Sequence, residues 1–557
     1  MAQSHTSPQL AQIRDDIIGE NSVVDTPFGK KPLVYADYTA SGRSLSFIER
    51  FIQDQVLPYY ANTHTETSYT GRHTTELREQ ARQTIRQALN AGEQHRLIFC
   101  GSGATAAIDK LITMLKLKRN GQAVQGTTSQ DDKAVVFIGP YEHHSNELPW
   151  RESAAEVVSI PLDARGQIDL DVLENKLQQY QHRGLKIGSF SAASNVTGLR
   201  SPVEKISALL KQYGFWSCWD YAAAAPYVGI DMEALQLDAV FISTHKFIGG
   251  PGTPGILMVD QAMLENEIPA VPGGGTVSFV TPTEHTYLSD VERREEGGTP
   301  GIVESIRAGL VFALQQAVGT EYIETLEREH TREAIERLQK HPNIDIMGDA
   351  DADRLSIISF RIKHEEKHLH YSFVVALLND LFGIQARGGC SCAGPYGHYL
   401  LGLSKEDSRA IEDEMNRGSM LLRPGWIRFN LNYFLDHSTV DYILSAIELL
   451  AEHGAEFLPY YQFQEKPGVW CFQGERYGET TNLSSAIDHW LTSNSVADSD
   501  AQSDTSNNMS TEDLYRHSLA EAKIRLQAPN PSWQRFDLEL QAGAEGLRWF
   551  LLPQEVA

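Results

Sequence analysis

The amino-acid sequence predicts an α/β protein with a mostly parallel sheet in a large domain and a second, smaller α+β domain. Between residues about 95 and 260, short apolar runs alternate with amphipathic stretches. Such runs are typical of strands buried on both faces of a parallel sheet. Glycine-rich or polar loops follow the runs, as expected where a ligand lies at the carboxyl ends of the strands. The predicted strands are 96–100, 134–139, 186–192, 215–220 and 239–245.

The second half of the chain has a different pattern, with helices and strands that predict the α+β domain. The predicted elements are helix 319–340, strand 354–362, helix 370–382, strand 383–387, strand 426–432 and helix 440–453. The domain boundaries that follow are an N-terminal segment 1–58 belonging to the small domain, a large domain 59–318, a small domain 319–465 and an extension 466–492.

The C-terminal part contains residues 493–510, which are rich in Ser, Asp and Asn and nearly free of apolar side chains. This composition predicts a disordered linker. Residues 511–557 form a second extension, and at its start Ser510 and Asp513 are suited to cap a helix. The ending LRWFLLP predicts a strand.

The amino-acid composition argues against several classes of function. The net charge of −25 over 557 residues argues against binding to nucleic acid or to an anionic membrane, since both need a basic surface. We find neither a signal peptide nor an uninterrupted apolar stretch of membrane-spanning length. The five cysteines are sparse and odd in number, and their spacing fits neither a disulfide framework nor a zinc site. We therefore expect a cytoplasmic protein that acts on small molecules.

Lys246 is the leading candidate for chemistry. It follows strand 239–245 in the sequence Ser243-Thr244-His245-Lys246 and precedes the glycine-rich FIGGPGTPG. Desolvation there would lower the lysine pKa, and a neutral amine condenses with an aldehyde. Ser243 and His245 can donate hydrogen bonds to a phosphate. The alternative is a surface lysine in a turn.

Three further loops support this interpretation. The turn 101–105, GSGAT, places free amide groups and the Thr105 hydroxyl at a helix N-terminus, where phosphate binds. Asp220 ends a strand and can keep a pyridinium nitrogen protonated, although it could equally cap a helix. His143 and His144 follow strand 134–139, where an imidazole can stack on a cofactor ring or move protons, the alternative being solvated loop residues.

In this order, GSGATAAID, EHHSNELPW, SNVTG, WDYAAAAP, STHKFIGGPG, EEGGTPG and RGGCSCA resemble the class V aminotransferase family. The similarity covers about residues 33 to 455 and is strongest to the cysteine desulfurase branch. It implies a fold-type I transferase with a mostly parallel, seven-stranded type of sheet and with pyridoxal 5'-phosphate as cofactor. It also implies a homodimer with shared active sites.

The resemblance implies a role for individual residues. Lys246 matches the Schiff-base lysine, Asp220 the acid facing the pyridine nitrogen, and His143 the ring-stacking histidine. Asn195 matches an asparagine near the ring hydroxyl and the substrate, and His64 lies in a segment that borders the site. Thr299 matches a residue that reaches the phosphate of the neighbouring subunit. The phosphate cup matches Ala104 through its backbone, Thr105, Ser243 and His245.

The residues 387–394, here called the cysteine loop, determine the expected reaction. Cys392 matches the nucleophile that takes sulfur from cysteine, and Arg428 matches the arginine that binds the substrate carboxylate. Alternatively Cys392 is a small apolar filler and Arg428 a structural charge, while Arg387 is expected to hold the loop in place. The loop departs from the family pattern at Cys390 and Ser391, Ala223 replaces a glutamine, and the segment 394–425 is long.

The sequence therefore predicts a pyridoxal-phosphate enzyme acting on a small amino acid, with conversion of L-cysteine to L-alanine and a persulfide on Cys392 as the leading reaction. A sulfur-acceptor protein is the expected partner. The alternatives are another class V reaction, such as transamination, epimerisation or a lyase reaction, in which Cys392 is not a nucleophile, and a scaffold without catalysis.

Overall fold

The computed structural model describes residues 8–63, 65–118, 133–264, 266–466, 468–478, 482–492, 509–541 and 543–556. Apart from residues 509 and 510, the predicted disordered linker 493–510 lies outside the described residues. None of the helices in this described part of the chain combines the length and apolar character that a membrane crossing requires.

Residues up to the end of the large sheet and its following helices form these elements: α1 (Pro8–Asp16), β1 (Val23–Thr26), β2 (Gly29–Pro32), β3 (Val34–Tyr35), α2 (Ser46–Phe51), α3 (Tyr69–Ala88), β4 (His95–Cys100), α4 (Gly103–Met114), β5 (Val135–Ile138), α5 (His144–Arg151), β6 (Glu156–Ser159), α6 (Leu170–Tyr180), β7 (Lys186–Ser191), α7 (Val203–Gln212), β8 (Trp216–Asp220), β9 (Ala239–Ser243), β10 (Gly255–Asp260), β11 (Val277–Val280), β12 (His285–Tyr287), α8 (Val291–Glu295) and α9 (Ile302–Val318).

The remaining elements are α10 (Thr320–Leu338), β13 (Ile344–Ile346), β14 (Ile357–His364), β15 (Lys367–His368), α11 (Tyr371–Phe382), β16 (Ile384–Gln385), β17 (Arg387–Gly389), α12 (Gly394–Leu400), α13 (Lys405–Asn416), β18 (Trp426–Asn430), α14 (His437–His453), β19 (Tyr461–Gln464), β20 (Val469–Phe472), α15 (Leu483–Thr492) and α16 (Thr511–Gln527).

The large sheet has seven strands in the order β4-β10-β9-β8-β7-β5-β6. Strand β10 is antiparallel to both of its neighbours, and the other pairs are parallel. This confirms the predicted α/β class and the mostly parallel sheet. The five predicted strands of this region are also confirmed, whereas β6 and β10 were not predicted.

Both faces of the large sheet are buried. In β9, Val240 and Ile242 belong to one hydrophobic cluster, and Ala239 and Phe241 to a second cluster on the opposite face. Because successive side chains of a strand point to opposite faces, a strand with two buried faces needs apolar residues at every position. The uninterrupted apolar runs of the sequence follow from this burial.

The second sheet has the order β13-β14-β18-β17, with β15 added beside β14, and its strands are antiparallel. In the pairing of β17 with β18, Arg387 lies opposite Arg428. The domain boundaries at residues 59, 319 and 466 stay predictions.

The C-terminal extension packs onto the second half of the fold. Tyr515 of α16 stacks on Tyr442 of α14 with ring centroids 4.2 Å apart, and Ser510 caps α16 by accepting a hydrogen bond from the Asp513 amide. The prediction of a strand in LRWFLLP was wrong. Phe550 forms one isolated bridge with His368, because the helical turns Glu545–Leu547 and Pro553–Glu555 leave only a short extended stretch between them.

Candidate active site

The loops at the carboxyl ends of the parallel strands surround a cavity of about 290 Å³. Ten of the predicted site residues line it, namely Ala104, Thr105, His143, Asn195, Asp220, Ser243, His245, Lys246, Cys392 and Arg428. Thr299 is not among the lining residues of this described cavity, and His64 lies outside the described residues. The structure thus gathers residues that are up to 324 positions apart in the sequence, from Ala104 to Arg428.

Lys246 ends a short helical turn, Thr244–Lys246, directly after β9. Burial lowers the pKa of its amine to about 8, although Asp220 and Asp37 oppose this shift by stabilising the charged form. A larger share of the amine is therefore neutral near neutral pH than in an ordinary lysine, and a neutral amine is the form that attacks a carbonyl carbon.

Asp220 lies at the end of β8 and is only 5% exposed. One of its carboxylate oxygens accepts a hydrogen bond from the Ala222 amide at 2.8 Å. Burial raises the pKa of the carboxyl group, while this hydrogen bond and the charge of Lys246 act in the opposite direction. A cationic ring nitrogen beside Asp220 would keep the carboxylate ionised.

The turn between β4 and α4 is shaped around Ser243 and His245. Gly103 has a φ of +58°, and a Cβ added there would lie 2.8 Å from Ser243 Oγ. The Ala104 amide donates a hydrogen bond to Ser243 Oγ at 3.0 Å, and Thr105 Oγ1 lies 2.6 Å from Ser145 Oγ. Amide and hydroxyl groups at a helix N-terminus form a donor set suited to a phosphate.

Two histidines of the cavity are neutral. Burial is the main reason that the pKa of His143 falls to about 3 and that of His245 to about 4, and the charge of Lys246 adds to both shifts. His143 caps α5, since its ring nitrogen Nδ1 accepts a hydrogen bond from the Ser145 amide at 3.1 Å. The ring is thus fixed at the cavity wall.

A charge cluster of Asp37, Arg387 and Arg428 lies at the cavity, and in it Asp37 and Arg428 are buried whereas Arg387 is half exposed. Arg428 donates one hydrogen bond to Asp37 Oδ1 at 3.0 Å and another to the Asn195 carbonyl at 2.9 Å. Arg387, which also lines the cavity, donates to the other oxygen of Asp37 at 2.8 Å. Burial lowers the pKa of the Arg428 guanidinium, and Asp37 opposes that shift. The cluster has a surplus positive charge suited to a carboxylate.

The sequence does not predict that the N-terminal segment or Arg387 contributes to the cavity, although Arg387 is expected to hold the cysteine loop in place. Thr39 and Ala40 line the cavity, and Asp37 connects both arginines. The signal was available in YADYTASGR, which resembles a family motif, but a single sequence does not indicate which side chain a carboxylate will contact. Ala223 lines the cavity at the position where the family pattern has glutamine.

The cysteine loop brings Cys392 to the cavity, where it is exposed, while Cys390 is half-buried and is not among the lining residues. Ser391 and Cys392 both have left-handed backbone conformations, with φ of 54° and 55°. Asn195 Nδ2 donates a hydrogen bond to the Ser391 carbonyl at 2.8 Å. The other three cysteines are buried, and burial raises the pKa of each of their thiols.

The cavity suits a pyridoxal-phosphate group. Its volume is close to the lower end of the range for small-molecule sites, about 300 Å³. Asn195 Oδ1 and Ser391 Oγ are buried without a hydrogen-bond partner among the described residues, so polar groups remain for a bound molecule. A lysine with a lowered pKa, a buried carboxylate and a turn suited to phosphate all line it.

Comparisons with known proteins identify the family and the fold of the chain. The family model described as Aminotransferase class-V matches residues 34–422. The chain is 29% identical over 382 residues to a probable cysteine desulfurase of Halalkalibacterium halodurans, covering 68% of this chain and 88% of the relative. A probable cysteine desulfurase of Streptomyces coelicolor is 28% identical over 368 residues, which are 65% of this chain and 84% of that protein.

Two solved structures share the fold. The cysteine desulfurase of Thermococcus onnurineus matches with a TM-score of 0.64 and 22% identity, covering 81% of this chain and all of that one. A cysteine desulfurase of Escherichia coli matches with a TM-score of 0.62 and 22% identity, covering 80% of this chain and 98% of that one. The chain therefore belongs to the aminotransferase class-V family, a family of pyridoxal-phosphate-dependent enzymes.

Proposed function

We propose that the protein is a cysteine desulfurase that converts L-cysteine to L-alanine and receives the sulfur on Cys392. The observation that carries the proposal is that Lys246, Asp220, Arg428 and Cys392 line one cavity. The relatives named probable cysteine desulfurases support the same reaction. The chain departs from the family pattern at Cys390, Ser391 and Ala223, but these departures change none of the four residues.

Pyridoxal phosphate would be held by residues of five loops. Lys246 would bind it covalently, Asp220 would face its ring nitrogen and His143 its ring, while Asn195 would lie near the ring hydroxyl. The phosphate would contact the Ala104 amide, Thr105, Ser243 and His245. When bound, the cofactor supplies an electron sink for negative charge at the α-carbon of an amino acid.

The residues of the chain have separate tasks in the reaction. Arg428 binds and orients the substrate carboxylate. Once its amine is free, Lys246 Nζ moves a proton at the α-carbon, a role that its lowered pKa favours. Cys392 Sγ, as the thiolate, forms a bond to the substrate sulfur while the carbon–sulfur bond breaks. Overall, L-cysteine and the Cys392 thiol give L-alanine and the Cys392 persulfide, so the reaction needs no external oxidant or reductant.

We further propose that the enzyme is a homodimer. The segment 268–280, which precedes the loop of Thr299 in the chain, has four exposed apolar side chains, Ile268, Val271, Phe279 and Val280. Gly298 donates a hydrogen bond to the Gly274 carbonyl at 2.8 Å, which connects that loop to this surface. A second copy would cover these side chains and would receive Thr299 at its own phosphate site.

A sulfur-acceptor protein would approach Cys392, whose exposure permits contact with a partner. A cytoplasmic location fits the five cysteines, which are all free thiols.

The reaction is tested with the protein loaded with pyridoxal phosphate, L-cysteine and a thiol reductant. We expect equal amounts of alanine and sulfide from wild type and from Cys390→Ala, and a loss of at least about a hundredfold in Cys392→Ala. Cys390→Ala is the matched control because it removes a thiol two residues away. Undiminished sulfide release by Cys392→Ala would contradict the proposal and favour another class V reaction. If the apoprotein does not take up the cofactor, the alternative of a scaffold without catalysis is favoured.

A further inference from the structure

The cysteine loop is held by residues from outside it, and His144 provides two of the contacts. The His144 amide donates a hydrogen bond to the Cys392 carbonyl at 2.8 Å. The His144 ring nitrogen Nε2 accepts a hydrogen bond from the Gly394 amide at 3.0 Å. One residue therefore binds the backbone on both sides of Ala393, immediately after the proposed nucleophile.

The approach of the ring to the loop is close. A Cβ added to Gly394 would lie 3.2 Å from His144 Nε2, which is tighter than ordinary van der Waals contact. Glycine at position 394 thus allows the imidazole to reach the backbone amide. Gly394 of the loop and His144 after β5 are thus in close contact, although about 250 residues separate them in the sequence.

The loop needs such contacts because its backbone is strained. Ser391 and Cys392 are consecutive left-handed residues other than glycine, a conformation that persists only where the surroundings enforce it. Within the loop, the Ala393 amide bonds to the Cys390 carbonyl at 3.2 Å. Further hydrogen bonds to the strained stretch come from outside the loop, from Asn195 on the Ser391 carbonyl and from His144 on both sides of Ala393.

We propose that His144 is a positioning residue for Cys392. Its ring holds the Gly394 amide and thereby keeps the cysteine loop in the left-handed conformation that brings Cys392 to the cavity. The neighbouring His143 lines the cavity itself, so the two adjacent histidines have different tasks. The kinetic part of this inference rests on the proposed function, whereas the structural part does not.

The test compares His144→Leu with His144→Gln. Leucine removes the acceptor, while the glutamine side-chain oxygen can replace Nε2 as acceptor for the Gly394 amide. Neither change affects the backbone bond from residue 144 to Cys392. Thermal unfolding of both variants checks that each one is folded.

The first readout is hydrogen–deuterium exchange of the peptide 388–396 in the protein without substrate. We expect exchange about fivefold to tenfold faster in His144→Leu, as follows from the loss of one hydrogen bond, and near wild type in His144→Gln. Unchanged exchange in His144→Leu, or equally fast exchange in both variants, would overturn the inference.

The second readout is the rate of persulfide formation on Cys392 in the loaded enzyme. We expect it to fall about tenfold in His144→Leu and to recover in His144→Gln, while the KM for L-cysteine stays within about twofold. If hydrogen–deuterium exchange is faster in His144→Leu but the rate of persulfide formation is unaltered, His144 does not position the thiol. Absence of any persulfide in wild type would defeat the proposed function alone, and the exchange result would still decide whether His144 holds the loop.

Discussion

Arg387 and Arg428 lie directly opposite each other on the antiparallel strands β17 and β18. Like charges in this position repel each other, and Asp37 compensates by accepting a hydrogen bond from each guanidinium. The two arginines share one carboxylate, so the three side chains together have a net charge of about +1. A substrate carboxylate bound there would complete the neutralisation.

The substrate role of Arg428 predicts a strong effect of Arg428→Lys. Lysine keeps the charge but loses the planar fork of donors, so we expect kcat/KM for L-cysteine to fall about tenfold to a hundredfold, mainly through KM. Steady-state kinetics measure this change. Arg387→Lys is the comparison, with a smaller expected effect because its side chain is half exposed. An unchanged KM in Arg428→Lys would remove Arg428 from the substrate site.

The lowered pKa of Lys246 predicts the pH dependence of cofactor capture. Only the neutral amine attacks the aldehyde, so the capture rate of the apoprotein should rise with pH up to about 8 and then level off. Stopped-flow absorbance over a pH series provides the midpoint, with lysine acetylated at its α-amino group as control. A midpoint near the pKa of an ordinary lysine would mean that burial does not lower the pKa of Lys246.

The phosphate turn predicts different outcomes for two nearby glycines. Gly103→Ala places a Cβ 2.8 Å from Ser243 Oγ at a positive φ, so we expect at least tenfold weaker cofactor binding and a stability loss of about 1–3 kcal/mol. Gly101→Ala is the matched control, since a Cβ there has no atom within 4 Å. Fluorescence titration of the cofactor measures binding. Equal affinities of the two variants would show that the turn does not bind phosphate.

The C-terminal extension predicts a large stability effect at Glu521. Lys31 is nearly completely buried, and its amine lies 2.6 Å from Glu521 Oε2. Glu521→Gln would leave a buried charge unpaired, with a cost of about 3–5 kcal/mol, whereas Glu512→Gln on the same helix should cost under about 0.5 kcal/mol. Denaturant unfolding measures both. A Glu521→Gln variant as stable as wild type would mean that the Lys31–Glu521 ion pair does not stabilise the fold.

Local patterns were sufficient for five of the seven strands of the large sheet and for the residues at its carboxyl edge. Asp220, Ser243 and Lys246 follow apolar runs whose length and burial fix where each strand ends. Strand β10 was missed because it follows a glycine-rich loop, and β6 because its residues are mostly half-buried. A pattern of hydrophobicity does not give the direction of a strand.

The cysteine loop could not be predicted in the same way. Its left-handed residues Ser391 and Cys392 depend on hydrogen bonds that the loop makes with Asn195 and His144, which lie far away in sequence. The shared contact of Arg387 and Arg428 with Asp37 also arises from tertiary pairing. The sequence indicated these residue types, and the fold determines which of them meet.

The central claim is sulfur transfer to Cys392, and peptide mass spectrometry tests it most directly. The loaded enzyme is treated with one equivalent of L-cysteine labelled with ³⁴S, alkylated and digested. The account predicts one labelled sulfur on Cys392 and an equal amount of alanine. Alanine formation without label on Cys392, or label carried by Cys390 in a Cys392→Ala variant, would contradict it.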